Sequence, residues 1–229
     1  LLRLSTRKPA KGPKQTERIY MYESYRRFWH WLQTASIVSL LFTGLIIHRP
    51  DIFGVFSFRG VVTVHNVLAV ILVVNALLAL FYHLVTERMQ EYIPRPYGFF
   101  DDAIMQAKFY IAGIFKGEAH PFEKRPDSRM NPIQKATYFG ILNVLLPLQI
   151  LTGILMWGVQ KWPEIADWFG GLPLLAPFHS LVAWTFATFI VGHIYMTTTG
   201  ATPLEAMRAM VTGYEEVEVH EDVEEEPAG

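Results

Sequence analysis

Residues 29–47, 61–84, 136–159 and 174–197 form four runs without a single Asp, Glu, Lys or Arg. Each is close to the roughly 20 residues that an α-helix needs to cross a bilayer. Core helices of soluble proteins keep a polar face, and these runs keep none. The pattern predicts an all-α integral membrane protein, a four-helix bundle. The first run follows a basic stretch, as a secretory leader would. It is longer than the apolar core of a leader, and no small-residue cleavage pattern follows it. Instead the His-Arg-Pro-Asp at 48–51 ends a helix, because proline cannot continue one.

Residues 100–115 repeat apolar side chains at helical spacing. They predict an amphipathic helix in the second loop, lying on the membrane surface or packed on the bundle. Residues 1–22 read as an N-terminal segment, 23–213 as the membrane domain and 214–229 as a tail. The tail carries eight acids in sixteen residues, the mark of a solvated, mobile extension. LFTGL in the first run is echoed by ILTGI in the third. Glycine there would let a helix approach a neighbour or a flat cofactor closely.

Charge orients the bundle. Of the 20 Lys and Arg, 17 precede the first run, lie between the second and third, or follow the fourth. The remaining three fall in the two other loops. The positive-inside rule therefore places both termini in the cytoplasm. The net charge of −1 conceals this asymmetry, since the acids share the same segments. Composition agrees with a membrane protein: 51% of residues are hydrophobic and 18% charged, against about 25% charged in soluble domains. The chain has no cysteine, so it carries no disulfide, iron–sulfur cluster or covalently attached c-type haem.

Eight histidines occur. His120 and His220 lie in polar sequence and need no special role. The other six sit in the apolar runs or at their ends. Because successive helices alternate in direction, His30, His83 and His193 lie toward the cytoplasm. His48, His65 and His179 lie toward the outside. His179 and His193 are 14 residues apart, which is about 21 Å of helix, within about 40° of one face. Ionisable groups inside a membrane are costly unless they face a partner or cofactor. Imidazole is a ligand of haem iron. Histidines from two facing helices would hold one porphyrin, and a second pair would hold another at a second depth. A proton relay normally adds Asp or Glu, which these runs lack, and a di-metal site would gather its ligands at one depth. Spacing leaves the partners of His179 and His193 open. His30 and His83 compete for the inner layer, His65 and His48 for the outer. Eighteen residues, five full turns, separate His30 from His48 and His65 from His83.

Short motifs carry a resemblance. RRFWHW at 26–31, TG at 43–44, VHNVLAV at 64–70 and NPIQK at 131–135 come first. LTG at 151–153, FHSLVAW at 178–184, GHIYM at 192–196 and MVTGYEE at 210–216 follow. From about residue 24 to 214 the chain resembles the di-haem cytochrome b subunits of membrane-bound periplasmic oxidoreductases. The pattern is similar to the gamma subunit of respiratory formate dehydrogenase and to thiosulfate reductase cytochrome b. It is more distantly similar to nickel–iron hydrogenase cytochrome b.

The resemblance implies two b haems, with His30 and His193 as ligands of the inner and His65 and His179 of the outer. It leaves His48 and His83 without a role. It also implies a menaquinone or ubiquinone site near the inner haem, at the segment opening the third helix. Asn131 would donate to the quinone, with Gln134 and Lys135 as weaker candidates. Asn-Pro is equally a helix-start signal, with Asn as N-cap and Pro at the first helical position, and both roles can hold together. The implied partners are an iron–sulfur subunit and a catalytic oxidoreductase subunit, docked on the outer loops at 49–60 and 160–173. Lipid and quinone complete the set, with no nucleic acid, in a bacterial or archaeal cytoplasmic membrane. The chain itself would carry electrons without a catalytic centre of its own. The competing reading is a haem-free transporter or scaffold that uses its histidines for packing or proton transfer.

Overall fold

The computed structural model describes residues 16–94, 97–118, 121–122, 130–198 and 202–218. A short strand β1 (Thr16–Tyr20) leads into α1 (Ser24–His48), and α2 (Phe58–Val85) returns beside it. A 3-10 turn (Arg88–Glu91) precedes α3 (Phe99–Lys108), which runs through a π-helical turn (Phe109–Gly113) into α4 (Ile114–Lys116). The third long helix has two α segments, α5 (Pro132–Gly140) and α6 (Leu146–Gly158), joined by a second π-helical turn (Ile141–Leu145). After α7 (Pro163–Trp168) comes α8 (Gly171–Thr197), then α9 (Glu205–Thr212) and strand β2 (Tyr214–Glu218).

Among the described residues, four helices are long and apolar enough to cross a membrane: α1, α2, α5–α6 and α8. Each spans its uncharged run to within about one turn. The start of α5 shows how the boundary is set. Asn131 accepts from the Gln134 backbone N–H at 2.9 Å, and Gln134 Oε1 accepts from the Asn131 N–H at 3.1 Å. Pro132 occupies the first helical position, where a missing N–H costs nothing.

The bundle is thin, and its apolar surface faces outward. Leu72, Leu146, Val182 and Phe186 form a buried cluster, with Ile37, Leu40 and Ile141 packed against it. All four membrane helices contribute, at the mid-depth between the two histidine layers. Outside it, Leu77, Phe81, Leu181 and Val191 are more than half exposed. So much contiguous apolar surface needs lipid to cover it. Within the bundle, Asn75 Nδ2 donates to Gln33 Oε1 at 2.8 Å, joining α1 to α2.

The amphipathic stretch packs on the bundle by one face and exposes apolar side chains on another. Gln106 and Phe109 are buried where α3 packs on α5. Phe100, Ile111 and Phe115 are more than three-quarters exposed on another face.

The tail begins in regular structure. Its first five residues are β2, antiparallel to β1, with Tyr214 opposite Tyr20 and Glu216 opposite Arg18. Two features outweigh the repulsion among its acids. Arg18 lies over the Tyr214 ring at 4.5 Å, a cation–π contact. Gly213, at φ 90°, turns the chain so that its carbonyl accepts from both Met21 N and Tyr22 N, at 2.8 and 3.0 Å. A side chain at Gly213 would meet Tyr20 and the Tyr22 backbone below 3 Å. Trp31 Nε1 donates to Met210 O at 2.8 Å, and Arg27 donates to Val211 O. Together these bonds clasp the two ends of the chain beside the inner end of α1. The tail from residue 219, His120 and His220 lie outside the described residues.

Candidate functional site

The outer layer consists of His65 on α2 and His179 on α8. Thr43 Oγ1 lies 2.8 Å from His65 Nδ1, and Thr152 Oγ1 lies 2.8 Å from His179 Nδ1. Each hydroxyl has one proton, and it is already committed. Thr43 donates to Ser39 O at 2.8 Å and Thr152 to Leu148 O at 2.7 Å. Both threonine oxygens therefore accept, and both imidazoles carry their hydrogen on Nδ1. The lone pair of each ring is left on Nε2, the form in which histidine binds a metal. Gln149 Nε2 lies 2.9 Å from His179 Nε2, so this side chain would have to turn aside for a metal to bind there.

A glycine follows each threonine. A Cβ on Gly44 would stand 3.6 Å from His65 Cε1, and one on Gly153 would stand 3.4 Å from His179 Cε1. The repeated Thr-Gly thus presses bare backbone against each imidazole while the threonine fixes its tautomer. The two rings lie within electrostatic range of each other.

The inner layer is built differently. The rings of His30 on α1 and His193 on α8 have centroids 6.3 Å apart. Two metal–nitrogen bonds of about 2 Å each, plus the distance from nitrogen to ring centre on both sides, come to about that separation. His30 Nδ1 is buried and makes no hydrogen bond to the described residues. His193 Nδ1 has the Tyr138 hydroxyl at 3.3 Å, and Phe189 stacks on the His193 ring with centroids 5.6 Å apart.

Tyr138 owes its reach to the π turn. Thirteen residues separate His30 from Thr43, and fourteen separate Tyr138 from Thr152. The extra residue is absorbed at Ile141–Leu145, so Tyr138 faces the bundle as His30 does on α1. On α2, the position equivalent to His193 is Ala79, buried, whose carbonyl accepts from His83 Nδ1 at 2.7 Å. The outer layer is therefore pseudo-symmetric between the two helix pairs, and the inner layer is not.

His83 is buried among the rings of Trp29, Tyr82 and Tyr92. His48 is the exposed last residue of α1. Asn131 is buried at the start of α5, and its Nδ2 donates to the Tyr110 hydroxyl at 2.7 Å. Gln134 spends its Oε1 on the capping box, and Lys135 follows in the first turn. Thr43, Thr152, Gln149 and Tyr138 did not emerge from the sequence as site residues. The two threonines left a trace in the LFTGL and ILTGI echo and in the TG and LTG motifs, where the echo pointed to the glycines; Gln149 and Tyr138 left none.

The donor set suits a b-type haem: two imidazoles at each depth, the outer two tied to threonine through Nδ1, and glycine backbone beside the outer rings. A membrane bundle presenting histidines this way is a b-type cytochrome. The chain belongs to the prokaryotic cytochrome b561 family, whose sequence pattern matches residues 21–213. That family binds haem b, and the chain is accordingly a multi-pass membrane protein of a prokaryotic type. It is 36% identical over 211 residues to the "Putative cytochrome YdhU" of Escherichia coli K12, covering 90% of this chain and 79% of that one. It is 23% identical over 197 residues to the "Probable Ni/Fe-hydrogenase 1 B-type cytochrome subunit" of the same organism, covering 77% and 81%. The "Probable Ni/Fe-hydrogenase B-type cytochrome subunit" of Rhizobium leguminosarum bv. viciae shares 23% identity over 217 residues, covering 82% and 84%.

Proposed function

We propose that the chain is the membrane subunit of a respiratory oxidoreductase, holding two b haems and linking an external module to the quinone pool. His65 and His179 would hold the outer haem, His30 and His193 the inner. When bound, haem b would supply a one-electron couple, and iron held by two histidines would have no site left for oxygen or substrate. The chain's own residues then do three things. Thr43 and Thr152 keep the outer imidazoles in the ligating tautomer. Leu72, Leu146, Val182 and Phe186 keep water out of the layer between the two sites. The clasp of β1, β2 and α9 covers the inner end.

The observation that carries this reading is the 6.3 Å separation of the His30 and His193 rings. The second layer, with both Nδ1 atoms tied to threonine, lies toward the other membrane face. Neither a packing role nor a proton-transfer role calls for two imidazoles at each of two depths, with the outer pair tied to threonine through Nδ1.

Quinone would react near the cytoplasmic end. Asn131 lies about 10 Å cytoplasmic of Tyr138 along the helix. Its side-chain oxygen is used by the cap, but its amide has a further proton to offer a quinone carbonyl. Gln134 is committed to the capping box, which leaves Lys135 as the secondary candidate. The external partner would supply the iron–sulfur relay that a cysteine-free chain cannot hold. The hydrogenase subunits among the relatives support an oxidoreductase complex. The short motifs favour the formate dehydrogenase or thiosulfate reductase type within it. The partner would dock on the outer loops, where Trp168 is 86% exposed. The exposed row of α3 and α4 would lie in the cytoplasmic leaflet.

The test is a reduced-minus-oxidised spectrum and a pyridine haemochrome assay of the purified protein. Two haems b per chain are expected. A colourless protein would favour the transporter or scaffold reading.

A further inference from the structure

We infer that Thr43 and Thr152 are positioning residues that hold the outer haem at a lower redox potential than the inner. This rests on the reading of His65 and His179 as ligands of one haem. Both threonine hydroxyl protons are committed to helix carbonyls. Each outer imidazole donates its Nδ1–H to an oxygen that is itself anchored on its own helix, 2.8 Å away. Donating that hydrogen bond moves electron density onto Nε2 and makes the ring a stronger ligand. A stronger axial donor favours ferric over ferrous iron, which lowers the potential. Both outer ligands receive this treatment.

The inner imidazoles receive less of it. His30 Nδ1 is buried and has no hydrogen-bond partner among the described residues. His193 Nδ1 has the Tyr138 hydroxyl at 3.3 Å, half an ångström longer than either threonine bond. The inner ring nitrogens are therefore the weaker donors. An electron delivered at the outer face would move inward toward the higher-potential site. The threonines thus set a direction that the helices alone leave open.

The experiment is a spectroscopic redox titration of the purified two-haem protein, with His65→Ala used to identify the outer component. The outer haem is expected to titrate below the inner. Thr43→Val and Thr152→Val should each raise the outer step and leave the inner step in place. Thr→Ser at either position should stay near the wild type, because serine restores the acceptor. Thr185→Val, on α8 but bonded only to Leu181 O at its exposed position, should move neither step. If valine weakens haem binding too far to titrate, Thr43→Cys and Thr152→Cys keep a poorer acceptor and should give intermediate shifts.

An outer haem at or above the inner potential overturns the inference. So does an outer step that ignores the loss of the hydroxyl, or one that serine fails to restore. These results would leave the two-haem reading standing. A wild-type preparation with fewer than two haems would remove the ligand assignment itself, and the tuning with it.

Discussion

The two histidine layers of this bundle reach similar ends by unlike means. In the outer layer each helix pair contributes the same device, a Thr-Gly on the first helix facing a histidine on the second. Both imidazoles are anchored, and both are approached by backbone. In the inner layer one histidine comes from the first helix of one pair and the other from the second helix of its mate. The positions left over hold Ala79 and Tyr138. If both layers hold haem as proposed, a pair of imidazoles can be brought together with or without hydrogen-bonded anchors behind the rings. How firmly each ring is held can vary independently of that pairing.

Removing a ligand should divide the layers most sharply. His65→Ala and His179→Ala should lower the haemochrome count from two to one by removing the outer haem. His30→Ala and His193→Ala should do so by removing the inner. His48→Ala and His83→Ala should keep two. If His83→Ala also lost a haem, the assignment of His30 would have to be reversed.

Crowding the backbone comes next. Valine at Gly153 places a branched side chain where a Cβ alone already stands 3.4 Å from His179 Cε1. Outer haem occupancy should drop substantially, with inner occupancy retained. Gly44→Val should act in the same direction more mildly, since the gap there is 3.6 Å. Equal losses from both layers would mean the glycines serve general helix packing.

A subtler separation is available at the inner end. Asn131→Asp keeps the acceptor that caps α5 and removes the amide protons. Quinone turnover should fall while both haems and thermal stability stay close to the wild type. Asn131→Leu should lose turnover and, in addition, about 1 kcal/mol of stability from the missing cap. Normal turnover in the aspartate variant would reduce Asn131 to a cap.

The smallest effect concerns pH. Glu23, just before α1, accepts from Arg88 at 2.6 Å and from Tyr82 at 3.1 Å. The Arg88 hydrogen bond, helped by that of Tyr82, holds its carboxyl below the ordinary value of 4.5 despite some burial. This link between α1 and the end of α2 is thus fully present above pH 4.5. It weakens as the pH falls through the lowered value. Both side chains are about one-third exposed, so the pair is worth about 0.2–1 kcal/mol. In a thermal melt, Glu23→Gln should cost that little near neutrality and nothing once the wild-type carboxyl is protonated. The inner haem should feel it before the outer.

Much of the architecture was legible from residue order. Four uncharged runs, the bias of lysine and arginine and the 14-residue spacing of His179 and His193 depend on local composition and on the fixed pitch of a helix. They predict spans, orientation and two depths without knowledge of any neighbour. Helix pitch also explains the main ambiguity. His65 and His83 share a face of α2, so periodicity cannot choose between His30 and His83 as the inner partner of His193. That choice depends on how one helix is rotated against another, which is a property of packed side chains. The tertiary structure brings the His30 ring to 6.3 Å from His193 and folds His83 among Trp29, Tyr82 and Tyr92. The same holds for the threonines and Tyr138. A hydroxyl shows its role only when the imidazole it accepts from arrives from 22 or 27 residues away. A π turn has no simple residue signature, yet it decides which way Tyr138 faces. Hydrophobicity and period act along the chain, whereas a donor meeting its acceptor across helices is decided only once the bundle has closed.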